Sequence, residues 1–338
     1  MEIVQNISLK AFNTFGIDVR TQYFTEIESV DDIREALSFA NKNQLPYLVI
    51  GGGSNILFTQ NFQGLIIKNN LKSIEVIHED QNNYYIKSSA GEVWHQLVLY
   101  CIENNYAGIE NLSLIPGSVG AAPLQNIGAY GVELKDVFYE LEAYHIPTQT
   151  IEKFDLNDCA FDYRESIFKT KLKNQYIILN ITLQLKKNPQ FNIEYGAIKE
   201  ELEKMNCTSL SVKAISQAVI NIRSSKLPNP KEIGNAGSFF KNPIINQEQS
   251  GQLKKEFPSI PIYPSKANQF KVAAGWLIEQ CGWKGFRKAD YGCHAKQALV
   301  LVNYGTAKGQ EIFDLSTAIN ESVFEKFGIE LECEVNIV

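Results

Sequence analysis

The segment Gly51-Gly52-Gly53-Ser54-Asn55 constrains the fold of this chain most, because it joins two apolar runs without a bulky side chain. The flanking runs, Tyr47-Leu48-Val49-Ile50 and Ile56-Leu57-Phe58, are typical of strands. A glycine loop of this kind can point consecutive backbone N–H groups at one anion, and Ser54 and Asn55 add side-chain donors. The segment therefore predicts a phosphate- or pyrophosphate-binding loop. The alternative is a glycine-rich turn in a β-hairpin.

Two common nucleotide-binding loops are disfavoured by the residues that follow the glycines. A P-loop needs lysine and then serine or threonine at that point, whereas Gly53 is followed by Ser54 and Asn55. A dinucleotide fingerprint needs a third, spaced glycine that opens a helix, whereas Ile56 begins a strand-like run. A strand–loop–strand cradle for pyrophosphate is the interpretation left.

A second segment, residues 108–131, reads GIENLSLIPGSVGAAPLQNIGAYG and is poor in charge but rich in glycine, alanine and serine. Such a stretch is costly to order without a partner and suits a backbone wrapped around a flat, buried ligand. Gln125 and Asn126 could hydrogen-bond the edge of a heterocycle. The alternative is a long structural loop, although loops of that length inside a compact domain are usually functional.

Composition excludes several classes of function. The net charge is −6 and no basic block is present, which argues against nucleic-acid binding. No apolar run has transmembrane length, and the first residues lack an export signal, so a cytoplasmic protein is expected. The six cysteines and four histidines show no ligand spacing, so we expect reduced core thiols and no metal site.

Hydrophobic periodicity predicts the main elements of secondary structure. The terminal residues alternate between apolar and acidic side chains, which predicts a strand with one packed face. Without further information, the acidic face of such a strand is typical of a solvent-exposed edge. The other predicted elements are a helix capped by Ser29, a half-buried strand over residues 177–185, a helix over residues 212–223 with Ile215, Val219 and Ile222 on one stripe, a strand over residues 298–302, and a long helix that buries Ile312, Leu315, Ile319 and Val323.

Several motifs in the same order resemble a known family over nearly the whole chain. The chain resembles the UDP-N-acetylenolpyruvoylglucosamine reductases, whose FAD domain is of the vanillyl-alcohol-oxidase-like type. The motifs that carry the resemblance are Asn13-Thr14-Phe15-Gly16, Gly51 to Asn55, Ile115 to Ala121, Gln125 to Gly131, Phe161 to Lys169, Arg223 to Pro228, Gly234 to Pro243, and Leu331 to Val335.

The resemblance implies an α+β fold with a two-lobed FAD-binding domain of the vanillyl-alcohol-oxidase-like type and a smaller α+β substrate-binding domain. The first lobe is expected at residues 1–70 and the second at residues 71–215. The substrate-binding domain is expected at residues 216–320. Residues 321–338 are expected to form a strand that returns to the active site.

The implied reaction belongs to peptidoglycan precursor synthesis and has two halves. NADPH reduces FAD, and the reduced flavin then gives hydride to the vinyl carbon of UDP-N-acetylglucosamine enolpyruvate, forming UDP-N-acetylmuramate. Residues 108–131 contain neither histidine nor cysteine for a tether, so FAD is expected to bind noncovalently. The resemblance implies cofactor binding by Gly51, Gly52, Gly53, Ser54, Asn55, Pro116, Gly117, Ser118, Gly120, Ala121, Gln125, Asn126, Gly128 and Ala129.

Three residues carry the implied chemistry. Arg164 is implied to bind the substrate carboxylate, because its guanidinium group is planar, rigid and permanently charged. In isolation, Arg164 could equally form a surface ion pair. Ser238 is the implied proton donor, in a sequence that would otherwise be an ordinary turn. Glu334 is the implied acid; spacing alone does not separate it from Glu332, and the family pattern selects the acid before Val335.

Substrate contacts are implied for five further residues, and NADPH is expected to use the same cleft. Tyr195 matches the subclass in which a mobile tyrosine loop closes over the UDP-sugar; the alternative is a half-buried anchor. The protein is expected to act as a monomer. Two rival functions are a flavin-dependent sugar or alcohol oxidase and a non-catalytic UDP-sugar-binding protein. The implied substrate contacts are Tyr195, Arg223, Lys226, Asn242 and Gln297.

Overall fold

The computed structural model describes residues 1–194 and 196–338. The chain forms two compact units, and each is built from separate stretches of sequence. The first unit contains Met1–Ile7, Thr21–Gly52 and Gln63–Ser225. The second unit contains Ser8–Arg20, Gly53–Phe62 and Lys226–Val338.

The α-helices in the described residues follow the periodic segments of the sequence. The helix capped by Ser29 is confirmed: its side chain accepts the Asp32 N–H at 3.1 Å. The predicted helix from residue 212 is also confirmed, with Ile215, Val219 and Ile222 buried. The helices are α1 (Val30–Lys42), α2 (Trp94–Glu103), α3 (Gly196–Lys204), α4 (Val212–Lys226), α5 (Gln247–Glu256), α6 (Ala274–Gln280) and α7 (Gly309–Phe327).

Two sheets dominate the first unit, and apolar clusters cover both faces of the larger one. One cluster contains α2 residues such as Trp94 and Leu97, and the other contains α1 residues such as Ile33 and Leu37. The smaller sheet has the order Val4–Ser8, Arg20–Ile27, Phe62–Asn69 and Tyr47–Ile50. The larger has the order Thr150–Asp155, Phe138–His145, Tyr176–Lys186, Asn83–Ser89 and Ile74–Glu79; a short pair joins Gly128–Ala129 to Val132–Glu133.

The prediction that residues 177–185 form a half-buried strand is wrong in one respect. They lie in the strand Tyr176–Lys186, at the centre of the larger sheet, and both faces of that strand are covered. Ile177 and Leu179 belong to one apolar cluster, and Ile178 and Ile181 belong to the other. The three-residue step from Ile178 to Ile181 reflects a bulge in the pairing with Phe138–His145, which shifts the alternation.

The second unit contains two small antiparallel sheets and helix α7. Ile312, Leu315, Ile319 and Val323 of α7 are buried, as the periodicity predicts. The strand predicted at residues 298–302 begins later, at Leu301, because Val300 N–H closes a turn on the Gln297 carbonyl at 3.0 Å. The strand order of the first sheet is Gly234–Asn235, Leu301–Asn303, Tyr291–Cys293 and Arg287–Lys288. The strand order of the second sheet is Ile244–Asn246, Gln269–Val272 and Ile262–Pro264.

The terminal segment keeps the predicted alternation but is not one continuous strand. Leu331 and Val335 are buried, whereas Glu330 and Glu332 are exposed. Cys333 makes an isolated bridge with Phe240. Beyond it, the two-residue strand Asn336–Ile337 pairs in parallel with Ile56–Leu57.

The expected domain ranges and the two compact units divide the chain differently. Residues 8–20 and 53–62 fall in the expected first lobe, yet they belong to the second unit. The expected boundary at residue 216 lies inside α4, and the unit boundary falls at Ser225. The assignment of the four ranges to FAD-binding lobes, a substrate-binding domain and a returning strand stays a prediction.

All six cysteines are free thiols. Burial raises the pKa of the Cys159 and Cys293 thiols to about 12, which favours the unreactive protonated form. Within residues 1–194 and 196–338, no group of three histidine, cysteine, aspartate or glutamate side chains is arranged to hold a metal ion. No helix in the same residues has both the length and the apolar character needed to cross a bilayer.

Candidate functional site

The two glycine-rich segments meet in the first unit. A Cβ atom added to Gly51 would lie 1.9 Å from Oγ of Ser118, and one added to Gly52 would lie 3.1 Å from the Gly117 Cα. Only a residue without a side chain fits at Gly51 while Ser118 keeps its position. The structure therefore brings together four of the residues predicted to bind the cofactor.

Backbone hydrogen bonds hold the Gly117–Gly120 turn against the start of α2. Gly117 accepts from Trp94 N–H at 2.9 Å, and Gly120 donates to the Ala90 carbonyl at 2.8 Å. A Cβ atom on Gly120 would lie 2.5 Å from the Ala90 Cβ, so this glycine permits close packing of two backbones. Pro116 beside this turn is exposed, and Ala121, Gln125 and Ala129 are half-buried.

Asn126 is fully buried, and its side-chain amide is occupied within the protein. Its Nδ2 donates to the Glu133 carboxylate at 3.0 Å and to the Asp162 carbonyl at 3.1 Å. Its Oδ1 accepts from Lys135 N–H at 3.0 Å. These contacts favour a positioning role for Asn126, which ties the Gln125–Gly131 segment to the segment that carries Arg164.

Arg164 is held against the predicted cofactor segment. Its Nη2 donates to the Gly128 carbonyl at 2.7 Å, and a Cβ atom on Gly128 would lie 3.2 Å from the Arg164 Nη1. Nearby, Ser166 Oγ donates to the Leu124 carbonyl at 2.8 Å. The guanidinium group that the resemblance assigns to catalysis therefore lies beside residues assigned to the cofactor.

Arg223, near the end of α4, adds a second cation to this part of the first unit. Its Nε donates to the Leu114 carbonyl at 3.3 Å. Burial lowers the pKa of Arg223, the neighbouring Tyr130 phenol opposes that shift, and the Arg164 cation adds to it. An arginine remains charged under such conditions, so two neighbouring guanidinium groups make this region suited to an anion.

In the second unit, the rest of the glycine loop packs on the N-terminal motif. Gly53 accepts from Thr14 N–H at 3.0 Å and has a φ of 62°. A Cβ atom on Gly53 would lie 2.0 Å from the Phe12 carbonyl oxygen, so glycine is required there. Ser54 is half-buried. Asn55 Nδ2 donates to the Glu334 carbonyl at 3.1 Å.

Ser238 and Glu334 lie on neighbouring segments of the second unit. Phe239, the residue after Ser238, accepts from Glu334 N–H at 2.8 Å. On the other side of Ser238, Gly237 has a φ of 72°, and its N–H donates to Asn235 Oδ1 at 3.0 Å. Both Ser238 and Glu334 are half-buried. The structure thus brings together two of the three predicted catalytic residues within one unit.

Glu332 and Glu334 have different surroundings, which spacing could not show. The Glu332 carboxylate is exposed and pairs with the buried Lys241 ammonium group. Lys241 N–H also donates to the Glu332 carbonyl at 2.9 Å. Lys241 is therefore joined to Glu332 through both its side chain and its backbone.

The predicted substrate contacts are distributed over both units. Asn242 Oδ1 accepts the first N–H of α6, from Ala274, at 2.9 Å. Gln297 Oε1 accepts from Leu299 N–H at 3.3 Å and would lie 3.1 Å from a Cβ atom on Gly275. Lys226 is exposed at the end of α4. Tyr195 lies outside the described residues.

Sequence reasoning missed several residues that hold the site in place. His95 accepts the Leu114 N–H at 3.0 Å, and Asn111 donates to the carbonyls of Tyr130 and Asn192 at 3.0 and 2.9 Å. Asn303 donates to the Phe15 carbonyl at 2.8 Å. Their spacing carries no signal, because each contacts a backbone group from a distant part of the chain.

A cavity of about 240 Å³ lies elsewhere in the first unit. Gly108, Gly131, Asp136, Lys186, Gln190 and Asn192 contribute to its wall. Its polar side chains bond to one another or to backbone: Lys186 Nζ donates to Gln190 at 3.0 Å, and Asn192 Nδ2 donates to the Gly131 carbonyl at 2.9 Å. It contains none of the predicted site residues.

Comparison with known proteins identifies the family. The model for the FAD binding domain matches residues 21–154, and the model for the UDP-N-acetylenolpyruvoylglucosamine reductase C-terminal domain matches residues 229–338. A UDP-N-acetylenolpyruvoylglucosamine reductase of Amoebophilus asiaticus is 53% identical, and the match covers 100% of both chains. The chain belongs to the UDP-N-acetylenolpyruvoylglucosamine reductase family.

Other members of this reductase family agree along the same length. The Flavobacterium johnsoniae reductase is 49% identical over 100% of both chains, and the Pseudomonas syringae pv. syringae reductase is 47% identical over 100% of this chain and 99% of its own. The crystal structure of the Thermus caldophilus reductase aligns with a TM-score of 0.69 at 22% identity, covering 99% of this chain and 98% of that one. The last match confirms the fold.

Membership in the reductase family confirms the expected fold class and the general function. The protein is an FAD-dependent oxidoreductase of peptidoglycan precursor synthesis that uses FAD and NADPH and acts on a UDP-sugar. It has an FAD-binding domain and the C-terminal domain of this reductase family. The comparisons therefore do not support a sugar or alcohol oxidase or a non-catalytic binding protein.

The residues of the cradle fit the FAD of this reductase family. The close approach of Gly51 and Gly52 to Gly117 brings together backbone that carries no side chains, with the Ser118 hydroxyl beside it, which suits a diphosphate. Within the described residues, the chemistry of the donors matches the anionic part of a dinucleotide.

Proposed function

We propose that this protein catalyses the NADPH-dependent reduction of UDP-N-acetylglucosamine enolpyruvate to UDP-N-acetylmuramate, with Arg164, Ser238 and Glu334 as the catalytic residues. The observation that carries the proposal is the backbone hydrogen bond between Phe239 and Glu334, at 2.8 Å, which sets the segments of Ser238 and Glu334 side by side. The enzyme acts as a monomer in the cytoplasm and binds FAD noncovalently.

The cofactor residues divide between two tasks. Gly51, Gly52, Gly53, Ser54, Gly117, Ser118 and Gly120 present backbone and small side chains to the diphosphate of FAD. When bound, FAD supplies the hydride equivalent that originates from NADPH. Gln125, Gly128 and Ala129 lie near Arg164 on the segment that we assign to the flavin ring, and Asn126 positions that segment.

Each catalytic residue has a distinct task at the enolpyruvyl group. Arg164 binds the substrate carboxylate and stabilises the negative charge that develops on it, an effect typically worth roughly 3 kcal/mol. Ser238 delivers a proton to the carbon beside the carboxylate. Glu334 orients the carboxyl group together with Arg164. Arg223 and Lys226 bind substrate anions, Asn242 and Gln297 bind its polar groups, and Tyr195 closes over the UDP-sugar.

The test separates the two half-reactions under anaerobic conditions. The purified protein is expected to be yellow and to release its flavin on denaturation. In Ser238→Ala, NADPH should bleach the flavin at the normal rate, whereas reoxidation by the enolpyruvyl UDP-sugar should slow roughly 10²- to 10⁴-fold, as for loss of a general acid. Reoxidation at the wild-type rate would remove Ser238 from the mechanism.

A matched control makes the result specific. Ser265 is exposed in the second unit, so Ser265→Ala should leave both half-reactions at wild-type rates. A colourless, folded wild-type protein that takes up no added FAD would refute the proposed function as a whole.

A further inference from the structure

We propose that His95 is a positioning residue for the UDP-sugar substrate: its Nδ1 holds the turn at Leu114, and that turn fixes the guanidinium group of Arg223. The inference rests on the proposed function, because it takes Arg223 as a contact for the substrate's anionic groups. His95 belongs to none of the motifs that carry the family resemblance.

Two hydrogen bonds connect His95 to Arg223 through the backbone of Leu114; we call this connection the relay. Leu114 donates its N–H to His95 Nδ1 at 3.0 Å, and its carbonyl accepts from Arg223 Nε at 3.3 Å. His95 lies on α2 and Arg223 lies on α4, so Leu114 joins two helices that are distant in sequence. A shift of the Leu114 backbone would therefore change the orientation of the Arg223 guanidinium group.

The Leu114 backbone needs such support. Its φ is 58°, in the left-handed region that leucine rarely adopts because its Cβ approaches the following carbonyl oxygen. The neighbouring residue Ser113 is held independently, since its Oγ donates to the Glu110 carbonyl at 2.7 Å. The bond from Leu114 to His95 therefore stabilises a strained residue whose carbonyl contacts Arg223.

The relay works only with neutral His95. Its Nδ1 accepts a hydrogen bond, so that nitrogen carries no proton and the ring proton is on Nε2. Burial lowers the pKa of His95, and the Arg223 cation acts in the same direction. Arg223 is the charged group that acts on the ring, while Glu92, just before α2, pairs with Lys72 at 3.5 Å.

Protonation of His95 would break the relay in two ways. Nδ1 would become a donor facing the Leu114 N–H, and a new positive charge would stand beside Arg223. We therefore expect substrate affinity to fall on the acid side, below the ordinary pKa of histidine. The protonation that matters is that of the free enzyme, so the effect should appear in kcat/KM.

Two variants at one position separate the acceptor from the ring. His95→Phe keeps an aromatic ring but removes Nδ1, and His95→Asn places an amide oxygen near the Nδ1 position. His95→Phe should raise KM for UDP-N-acetylglucosamine enolpyruvate roughly 5- to 10-fold, as for one lost hydrogen bond, with kcat changed less than about 2-fold. His95→Asn should restore KM and abolish the acid limb of the kcat/KM profile.

A double-mutant cycle tests whether the effect passes through Arg223. Arg223→Lys keeps the charge but removes Nε and the planar fork. If the relay exists, adding His95→Phe to Arg223→Lys should raise KM no further. Full additivity of the two changes would overturn the inference, as would an unchanged KM in His95→Phe or an equal loss in His95→Phe and His95→Asn.

The outcome also separates this inference from the proposed function. His95→Phe should unfold at a slightly lower temperature than wild type, because the Leu114 N–H loses its acceptor, whereas His95→Asn should stay close to wild type. The flavin content of both variants should equal that of the wild type, which shows that both are folded. A wild-type enzyme that does not turn over the enolpyruvyl UDP-sugar refutes the proposed function. A wild-type enzyme that turns it over with His95 variants indistinguishable from it refutes the relay alone.

Discussion

At the residue scale, the glycines of this reductase differ in what a side chain would meet. Gly16 and Gly53 both have positive φ, 65° and 62°. No atom lies within 4 Å of a Cβ on Gly16, whereas a Cβ on Gly53 would lie 2.0 Å from the backbone oxygen of Phe12. The two positions therefore share the conformational strain but not the clash, and both lie in the second unit.

Gly53→Ala should be far more damaging than Gly16→Ala. Left-handed strain alone should destabilise Gly16→Ala by about 1–2 kcal/mol. In Gly53→Ala, displacement of the Phe12 backbone should add roughly 1–3 kcal/mol and weaken FAD binding. Urea unfolding and flavin titration measure both effects. Equal stability of the two variants would show that the glycine loop yields to a side chain.

The chemistry of single residues could be predicted from the sequence better than their partners could. Within the first unit, Gly51 and Gly52 approach Gly117 and Ser118, and Arg164 lies beside Gly128; their roles stay predictions. Asn126 has the amide expected of a cofactor contact, but the structure uses that amide inside the protein. An amide satisfies a ligand and a backbone group equally well, so residue type cannot distinguish the two roles.

At the element scale, one segment of the glycine loop supports the segment that carries Glu334. Asn55 Nδ2 donates to the Glu334 carbonyl at 3.1 Å. The Asn55 carbonyl accepts two bonds from Asn336, one from its backbone N–H at 3.0 Å and one from Nδ2 at 2.9 Å. The parallel pairing of Asn336–Ile337 with Ile56–Leu57 continues this contact.

Asn55→Ala should slow the oxidative half-reaction selectively at saturating FAD. Loss of the Nδ2 donor frees the Glu334 backbone, and a small displacement of a catalytic group can cost on the order of 10²-fold in rate. Stopped-flow reoxidation by the enolpyruvyl UDP-sugar measures the effect, with NADPH-driven bleaching as the internal reference.

Asn336→Ala is the matched control for Asn55→Ala. It removes one side-chain bond to Asn55 and leaves the backbone bond in place, so its reoxidation rate should stay within about 2-fold of wild type. Equal slowing in the two variants would contradict a specific role for Asn55.

Elements were predictable where one side of a segment meets the core. Helices α1, α4 and α7 each bury a single stripe, which periodicity reports directly. The central strand Tyr176–Lys186 packs on both faces and contains a bulge, so its alternation misrepresents its burial. The alternation of apolar residues within one strand does not show whether one face or both faces of that strand will be covered.

At the scale of the whole molecule, the second unit is discontinuous in sequence. The family model for the C-terminal domain begins at residue 229, but the unit also contains Ser8–Arg20 and Gly53–Phe62. Phe58 and Phe15 from these stretches are buried. A Cβ on Gly309, the first residue of α7, would lie 1.8 Å from the Phe58 carbonyl oxygen. The early stretches are therefore part of the unit's core.

A fragment of residues 226–338 should not fold by itself. It lacks the buried side chains of the two early stretches, and loss of a single large core side chain typically costs 3–5 kcal/mol, a large part of the stability of a domain. Thermal unfolding followed by circular dichroism should show no cooperative transition for the fragment and a clear one for the full chain. A cooperative transition in the fragment would refute this reading of the unit.

The discontinuity could not be predicted from the sequence, and the expected boundaries show why. Local patterns indicate where a helix or strand begins, but not which distant segment it contacts. Asn55 and Glu334 are 279 positions apart, and no feature near either residue marks the other as its partner. For this reason each expected domain was a single continuous range of residues, whereas the observed units combine separate ranges.

The pairing of residues 55–59 with residues 334–338 has a consequence for synthesis on the ribosome. Leu57 and Phe58 are wholly buried in the finished protein, yet they emerge from the exit tunnel long before the strand that pairs with Ile56–Leu57. Until that strand is made, the hydrophobic segment at residues 56–58 lacks this pairing partner and is exposed to aggregation with other nascent chains. The pairing of Ile56–Leu57 with Asn336–Ile337 can therefore form only after the segment that contains Asn336–Ile337 has left the ribosome.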